Sequence, residues 1–132
     1  MLTRRNVLAA TALLAFVPLQ AARADEPKFT NFTNEAFATA QKQGKSVLVD
    51  VWASWCPTCK AQGPILKSWL EKPENKDVVM LRVNFDTQLD VLKAFKVQSQ
   101  STLIMFKGDK EVARSVGDTD AASIGKLIAA GV

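Results

Sequence analysis

The only two cysteines of the 132-residue chain lie three positions apart, in the segment W-A-S-W-C-P-T-C-K at residues 52–60. This segment follows Ser46–Trp52, a β-branched and apolar run interrupted only by Asp50. Such a run predicts a buried strand, and the residues after it predict a helix from Cys56 to about Glu71. The chain is therefore expected to pass from a central strand into a helix that carries both cysteines in its first turn.

A cysteine pair at this spacing has three possible roles: a structural disulfide, a metal-binding site or a redox centre. A bond between Cys56 and Cys59 would close a loop too short to remove much entropy from the unfolded chain, so a structural disulfide is a poor explanation. Zinc sites usually take four ligands, commonly Cys and His, and the chain has no histidine and no third cysteine. Redox chemistry is the interpretation that remains.

Residues 1–24 have the three parts of a secretory signal peptide. They are a charged start with Arg4 and Arg5, an apolar stretch at residues 7–19, and the sequence A-R-A at residues 22–24. The apolar stretch is about 13 residues long, whereas a membrane-spanning helix needs roughly 20. We expect cleavage after Ala24, a periplasmic location and no stable membrane span in the mature chain, residues 25–132. An uncleaved anchor is the alternative, and the paired arginines also resemble a twin-arginine export signal.

The charge of the mature chain argues against a nucleic-acid partner. Residues 1–24 contain three arginines and no acidic residue, so 14 basic residues face 13 acidic ones after cleavage. Nucleic-acid-binding domains typically carry a cationic stripe, whereas the lysines here are scattered among acidic residues and form none.

The mature chain alternates between strand and helix patterns, without internal repeats. The predicted strands are residues 29–32, 46–52, 78–85, 102–107 and 111–116. The predicted helices are residues 33–43 with Thr33 or Asn34 as cap, 56–71 with a kink at Pro64, 89–95, and a last helix capped by Asp118 or Thr119. This order predicts an α/β fold with a mixed central sheet of four to five strands flanked by helices, parallel in its first half and ending in an antiparallel hairpin.

The segment V-L-V-D-V-W-A-S-W-C-P-T-C-K at residues 47–60, followed by A-Q-G-P-I-L, resembles the active-site strand and helix of the thioredoxin family. The resemblance covers essentially the whole mature chain and includes R-V-N-F-D at residues 82–86, S-T-L at residues 101–103 and Gly117. It implies a thioredoxin fold and a thiol:disulfide oxidoreductase without organic cofactor or metal. The implied partners are client proteins that carry disulfides and, for an exported enzyme, a membrane thiol relay that donates electrons.

Cys56, Cys59 and Asp50 are the predicted catalytic residues. The partial positive charge of a helix N-terminus favours the thiolate of Cys56, the predicted nucleophile. Cys59, one turn further in and more buried, is the predicted resolving thiol. The resemblance implies that Asp50 acts through water as its base, and burial in an apolar strand would raise the pKa of this acid. The alternative for Asp50 is a place on an exposed face of the strand.

Arg82 stands where thioredoxins commonly carry a lysine that pairs with the aspartate. An arginine does not give up its proton in the ordinary pH range. If Arg82 reaches Asp50, it should hold the carboxylate charged and weaken it as a base. The alternative is a solvated arginine at the end of a strand.

The predicted substrate-binding residues are Trp55, Pro57, Ser101 and Thr102. Trp55 would offer apolar surface beside the disulfide. Thioredoxins carry a cis-proline immediately before the residue that matches Thr102, but here the residue is Ser101. Because a cis bond before a non-proline residue costs about 3 to 4 kcal/mol, we expect a trans bond between Gln100 and Ser101. The hydroxyl would then contact a substrate or Cys56, or Ser101 would be a passive loop residue.

The residues between the cysteines, Pro57 and Thr58, include no histidine of the kind that strongly oxidising relatives use to stabilise their reduced form. This favours a reductase or isomerase. Two other classes of function stay open. One is a carrier that binds Cu(I), a soft ion, with the two thiolates. The other is a redox-silent module that binds a partner through Trp55.

Overall fold

The strands and helices follow the alternation of patterns along the chain. A computed structural model describes residues 26–132, so the predicted signal peptide and its cleavage site lie outside the described residues. The strands are β1 Thr30–Asn31, β2 Ser46–Trp52, β3 Val79–Asn84, β4 Thr102–Lys107 and β5 Lys110–Val116. The helices are α1 Asn34–Lys42, α2 Pro57–Leu70, α3 Leu89–Ala94 and α4 Ala121–Ala129.

The five strands form one mixed sheet in the order β1-β3-β2-β4-β5. β1, β3 and β2 pair in parallel, whereas β2 with β4 and β4 with β5 pair antiparallel. The predicted mixed sheet of four to five strands is therefore confirmed. β2 lies at the centre of the sheet, where Val47–Trp52 pair with β3 and Ser46–Asp50 pair with β4.

Successive side chains of β2 point to opposite faces of the sheet, as in any strand. Val47, Val49 and Val51 pack into one core with residues of α1 and α3. Leu48 packs into a second core on the other face, with residues of α2 and α4. Asp50 shares the face of Leu48 by this alternation, so the carboxyl group lies on the side of the sheet that α2 covers.

Local signals set most helix starts. Thr33, one of the two predicted caps, caps α1, because its hydroxyl accepts the N–H of Ala36 at 3.0 Å. The predicted cap of the last helix was wrong. Asp120 caps α4 by accepting the N–H of Ala122, whereas Asp118 accepts the N–H of Asp120 and belongs to the preceding turn. Several residues in this loop have capping side chains, and the packing of the loop decides which one is used.

Four further details differ from the sequence predictions or extend them. β1 is only two residues long, and β5 begins at Lys110, so Gly108 and Asp109 form the tip of the hairpin. Pro73–Asn75 form a 3-10 turn after α2 that no local pattern indicated. α2 runs through Pro64 to its end. Within residues 26–132, none of the helices has both the length and the apolar character needed to span a membrane.

Candidate active site

Cys56 occupies the N-cap position of α2, and Pro57 follows at the first helical position, where its missing N–H is not needed. The Sγ atom of Cys56 accepts the N–H of Cys59 at 3.1 Å. The two residues are joined by a disulfide, with their Cα atoms 5.3 Å apart. The sequence prediction that the two sulfurs meet at a helix N-terminus is confirmed.

Both cysteines are buried, and the expectation that Cys59 is the more buried of the two was wrong. Cys56 is 0% exposed and Cys59 is 3% exposed. They form a small cluster with Ala53, against which Trp52 and Phe85 pack. Helical position alone suggested a more open Cys56, but loops from elsewhere in the chain cover the end of the helix.

The Ser101 loop lies against both sulfurs. The peptide bond before Ser101 is trans, as predicted, since residues 26–132 contain no cis peptide bond. The hydroxyl oxygen of Ser101 lies 3.1 Å from the Sγ atom of Cys56 and 3.1 Å from that of Cys59. The sequence left open whether this hydroxyl contacts a substrate, contacts Cys56 or is passive, and in the structure it contacts Cys56. A contact between Ser101 and a substrate stays a prediction.

Asp50 and Arg82 form a buried ion pair. The side chains are 2% and 7% exposed, and the Nε–H of Arg82 donates to the carboxylate of Asp50 at 3.0 Å. The alternatives of an exposed Asp50 and a solvated Arg82 were therefore wrong. Burial raises the pKa of Asp50 above its usual value, and the attraction to Arg82 opposes this rise without cancelling it. The expectation that Arg82 would weaken the base has the right direction, but desolvation outweighs it.

Arg82 also contacts residues that the sequence argument did not single out. Its Nη1 lies 3.6 Å from the carboxylate of Glu26, and its guanidinium lies 4.0 Å from the ring centroid of Phe29 and 4.9 Å from that of Trp52. The register of β1, in which Asn31 lies beside Arg82, brings this lead-in segment to the pair. No local pattern could have revealed these contacts, because they depend on that register.

Solvent reaches the outer side of Arg82 through an open cavity of about 950 Å³, lined in part by Arg82 and Trp52. On the inner side, the Sγ atom of Cys59 lies 3.9 Å from the carbonyl oxygen of Val51, the residue after Asp50. Asp50 therefore lies in the same strand segment that contacts Cys59.

The other predicted substrate residues have different surroundings. Trp55 is 54% exposed, and its Nε1–H donates to the carboxylate of Asp86 at 2.9 Å. Pro57 is exposed. Thr102 is buried and donates its hydroxyl to the carbonyl of Ser99 at 2.7 Å, so this hydroxyl is turned into its own loop. The roles of these residues toward a substrate stay predictions.

The sequence argument also passed over Val116. This side chain is exposed and pairs with Thr102 across β4 and β5, beside Ser101. The Gly117 N–H that follows donates to the Ser101 carbonyl at 3.0 Å. The only sequence signal was an apolar residue immediately before Gly117. This signal does not place Val116 near Ser101 until the register of β4 and β5 is known.

In the described part of the chain, no group of three or more His, Cys, Asp or Glu side chains is placed to hold a metal ion. A Cu(I) ion would therefore have only the two sulfurs of Cys56 and Cys59 as ligands from these residue types.

Comparison with known proteins gives a consistent result. The family model described as Thioredoxin matches residues 28–130. A thioredoxin of Mycobacterium tuberculosis is 36% identical over 93 residues, covering 70% of this chain and 79% of the relative. A thioredoxin of Chlamydia trachomatis is 40% identical over 96 residues, covering 73% and 91%. The crystal structure of Trxlp from Edwardsiella tarda has a TM-score of 0.74 and 40% identity, covering 76% of this chain and 98% of that one.

Proposed function

Because the chain belongs to the thioredoxin family and is a thiol:disulfide oxidoreductase with a C-x-x-C pair, we propose that it reduces or exchanges disulfides of client proteins in the periplasm. The observation that carries the chemistry is the placement of Cys56 as the N-cap of α2, in disulfide contact with Cys59. The signal-peptide pattern of residues 1–24 supports export.

The proposed reaction has two exchange steps. The thiolate of Cys56 attacks one sulfur of the client disulfide, and the other client sulfur leaves as a thiolate. Cys59 then loses its proton through water to Asp50 and attacks the sulfur of Cys56. This forms the Cys56–Cys59 disulfide and releases the first client sulfur as a thiolate. The client gains the two electrons that the enzyme loses.

Helix position favours the first step. Cys56 Sγ already accepts one backbone N–H at the positive end of α2, and the same interactions stabilise a thiolate there. The raised pKa of Asp50 suits the second step, because a carboxylate that binds a proton more readily is a better base. Regeneration of the dithiol requires two electrons, and a membrane thiol relay is the proposed donor.

Insulin reduction tests the activity. The mature chain, residues 25–132, with dithiothreitol as electron donor should accelerate insulin precipitation over dithiothreitol alone. Cys56→Ser should abolish the acceleration, and Cys59→Ser should accumulate a mixed disulfide with insulin. Wild-type protein without acceleration would contradict the proposed function, and a tight one-to-one Cu(I) complex in the same sample would favour the carrier instead.

The location and the direction of electron flow need a separate test. The full-length chain, expressed in a Gram-negative host, should appear in the periplasmic fraction with a mature N-terminus at Asp25. Acid quenching followed by thiol alkylation would show Cys56 and Cys59 mainly reduced if the protein acts as a reductase. A full-length product in the cytoplasm would contradict export, and a fully oxidised pair would reverse the proposed direction.

A further inference from the structure

The hydroxyl of Ser101 lies between the two redox-active sulfurs, at 3.1 Å from each, and Ser101 is 3% exposed. A hydroxyl has one hydrogen-bond donor and two acceptor lone pairs. The reduced active site has a complementary need, because a Cys56 thiolate requires a donor and a Cys59 thiol requires an acceptor. One hydroxyl in this position satisfies both sulfurs at once.

The backbone holds Ser101 in place. Its φ of 63° is in the left-handed region, which residues other than glycine rarely adopt. The N–H of Ser101 donates to the carbonyl of Val51 at 2.8 Å. Its carbonyl accepts from the N–H of Gly117 at 3.0 Å and from Nε2 of Gln62 at 3.3 Å. Three hydrogen bonds thus fix an unfavourable conformation, and the result is a hydroxyl aimed at the sulfurs.

Few other donors serve Cys56. Within residues 26–132, its sulfur has hydrogen-bond contacts with the N–H of Cys59 and the hydroxyl of Ser101. The chain has no histidine that could stabilise a thiolate from the loop between the cysteines. The Ser101 hydroxyl is therefore the one side-chain group in the described structure that is placed to stabilise the Cys56 thiolate by a hydrogen bond.

We propose that the Ser101 hydroxyl bridges the two sulfurs of the reduced enzyme as a catalytic group, donating to the Cys56 thiolate and accepting from the Cys59 thiol. The inference rests on the proposed dithiol chemistry. After Cys56 has formed the mixed disulfide, its sulfur is neutral and no longer needs the donor. The hydroxyl then turns its O–H to Cys59, whose proton leaves through water to Asp50, and stabilises the second thiolate. Ser101 keeps its own proton throughout.

This bridge has a measurable thermodynamic consequence. A disulfide sulfur is a weaker acceptor than a thiolate, so the hydroxyl stabilises the reduced form more than the oxidised form. It therefore lowers the pKa of Cys56 and makes the couple more oxidising. Serine in the position of the family's cis-proline would supply part of the thiolate stabilisation that a histidine between the cysteines would otherwise provide.

The test compares Ser101→Ala and Ser101→Gly with Ser99→Ala. Glycine removes the hydroxyl and adopts the left-handed φ without strain, so it separates the chemistry from the backbone. Ser99→Ala removes a nearby hydroxyl that bonds the carbonyl of Gln100 and touches neither sulfur. Thermal melts establish that each variant is folded.

Two quantities decide the proposal: the pKa of Cys56, from the pH dependence of thiolate absorbance and alkylation, and the equilibrium of the couple with glutathione. Loss of a hydrogen bond to a charged group should raise the pKa of Cys56. The acid dissociation constant of Cys56 and the equilibrium constant with glutathione should each shift by about tenfold. For the couple this corresponds to about 30 mV toward a more reducing potential. Both Ser101 variants should show the shift, and Ser99→Ala should not.

Unchanged constants in Ser101→Gly would overturn the proposal, even if Ser101→Ala is altered, because the alanine effect would then come from the backbone. These measurements use only the Cys56–Cys59 couple and need no client protein. A failure of insulin reduction in the wild type would count against the proposed function, whereas a failure here would count against the bridge alone.

Discussion

Arg82 donates its Nε–H to the carboxylate of Asp50 at 3.0 Å, inside the protein and between two neighbouring parallel strands. The two residues are direct partners in the register of β2 and β3. Burial favours the neutral form of Asp50, and the guanidinium favours its charged form. The protonation state of Asp50 therefore depends on two opposing effects. Substitution of Asp50 or Arg82 tests how this residue contributes to catalysis and to stability.

Asp50→Asn should slow the resolving step. The amide keeps the shape and can still accept from Arg82, but it cannot take the Cys59 proton. We expect a loss of about 100-fold in that step, the lower end of typical general-base contributions, because Arg82 weakens the base. Acid-quenched single-turnover mixtures with insulin should contain accumulated mixed disulfide. Resolution at the wild-type rate would place the base elsewhere.

The same variant should change how stability depends on pH. Because the folded-state pKa of Asp50 is raised above its usual 3.8, the native state binds this proton more tightly than the unfolded state. The stability of the wild type relative to Asp50→Asn should therefore fall as pH rises from below 3.8 through the folded pKa, and then level off. Each tenfold difference in proton affinity corresponds to about 1.4 kcal/mol.

Urea unfolding of both proteins between about pH 4 and about pH 8 measures this difference directly. Groups other than Asp50 titrate in both proteins and largely cancel in the comparison. A difference that grows in favour of the wild type as pH rises would show that Arg82 outweighs burial, and would reverse the assigned direction.

Removal of Arg82 should be costly at neutral pH. Arg82→Met keeps much of the volume but leaves Asp50 buried without its partner, a change that typically costs about 3 to 5 kcal/mol. The loss should shrink in acid, where Asp50 is protonated, and in the double variant with Asp50→Asn. Arg114→Met is a matched control, since Arg114 forms a more exposed ion pair with Glu111, and such pairs contribute about 1 kcal/mol or less. Equal losses for the two arginines would contradict the prediction.

Gly125→Ala should destabilise the packing of α4 on α2. A Cβ atom at Gly125 would overlap the indole ring of Trp69, and that ring is held by a 2.8 Å hydrogen bond from its Nε1–H to the carbonyl of Ala121. In an exposed helix the same change would stabilise by about 1 kcal/mol. Here we expect a loss of about 1 to 3 kcal/mol from overpacking.

Chemical denaturation followed by far-ultraviolet circular dichroism measures this loss. Lys126→Ala, at an exposed position of the same helix, should stay within about 0.5 kcal/mol of the wild type. The reduction potential of the Cys56–Cys59 couple should be the same in all three proteins. A Gly125→Ala variant as stable as the wild type would mean that Trp69 moves aside without cost.

Trp55→Ala should impair the reaction with protein clients more than with a small disulfide such as cystine. Trp55 is exposed beside the cysteines and is held by Asp86 and by an edge contact with Phe85 at 6.4 Å between ring centroids. Loss of such an aromatic anchor should lower kcat/KM for insulin about tenfold. Leu89→Ala removes a similarly exposed apolar side chain on α3 and should have little effect. Equal effects on both substrates would argue against client contact through Trp55.

Elements with strong local signals were predictable from the sequence. The bounds of β2, 46–52, agree with the structure, and Thr33, one of the two predicted caps, is the cap of α1. A continuous run of apolar, β-branched residues and capping chemistry both act within a few residues. The cap of α4 was misplaced, since Asp118 and Asp120 have the same local chemistry. In the folded chain, the Asp118 carbonyl accepts from Gln62 on α2, a contact with another helix that no local pattern reveals.

In the active site too, local contacts were predictable and contacts between distant segments were not. The contact of Cys56 with Cys59 follows from helical spacing alone. The pairing of Asp50 with Arg82 was one of two alternatives, since it requires the register of two parallel strands. The contact of Ser101 with Cys56, more than 40 residues away along the chain, was likewise one of several open possibilities. Its contact with Cys59 was not predicted.

The amino-acid order by itself determined that a buried strand leads into a helix whose first turn carries two thiols, because periodicity, capping and the field at a helix end act over a few residues. Only the folded chain decided how those thiols are covered and tuned. Burial, strand register and the hydrogen bonds that hold Ser101 each depend on segments that are distant in the chain. Desolvation of Asp50 arises only when those segments pack together and exclude water.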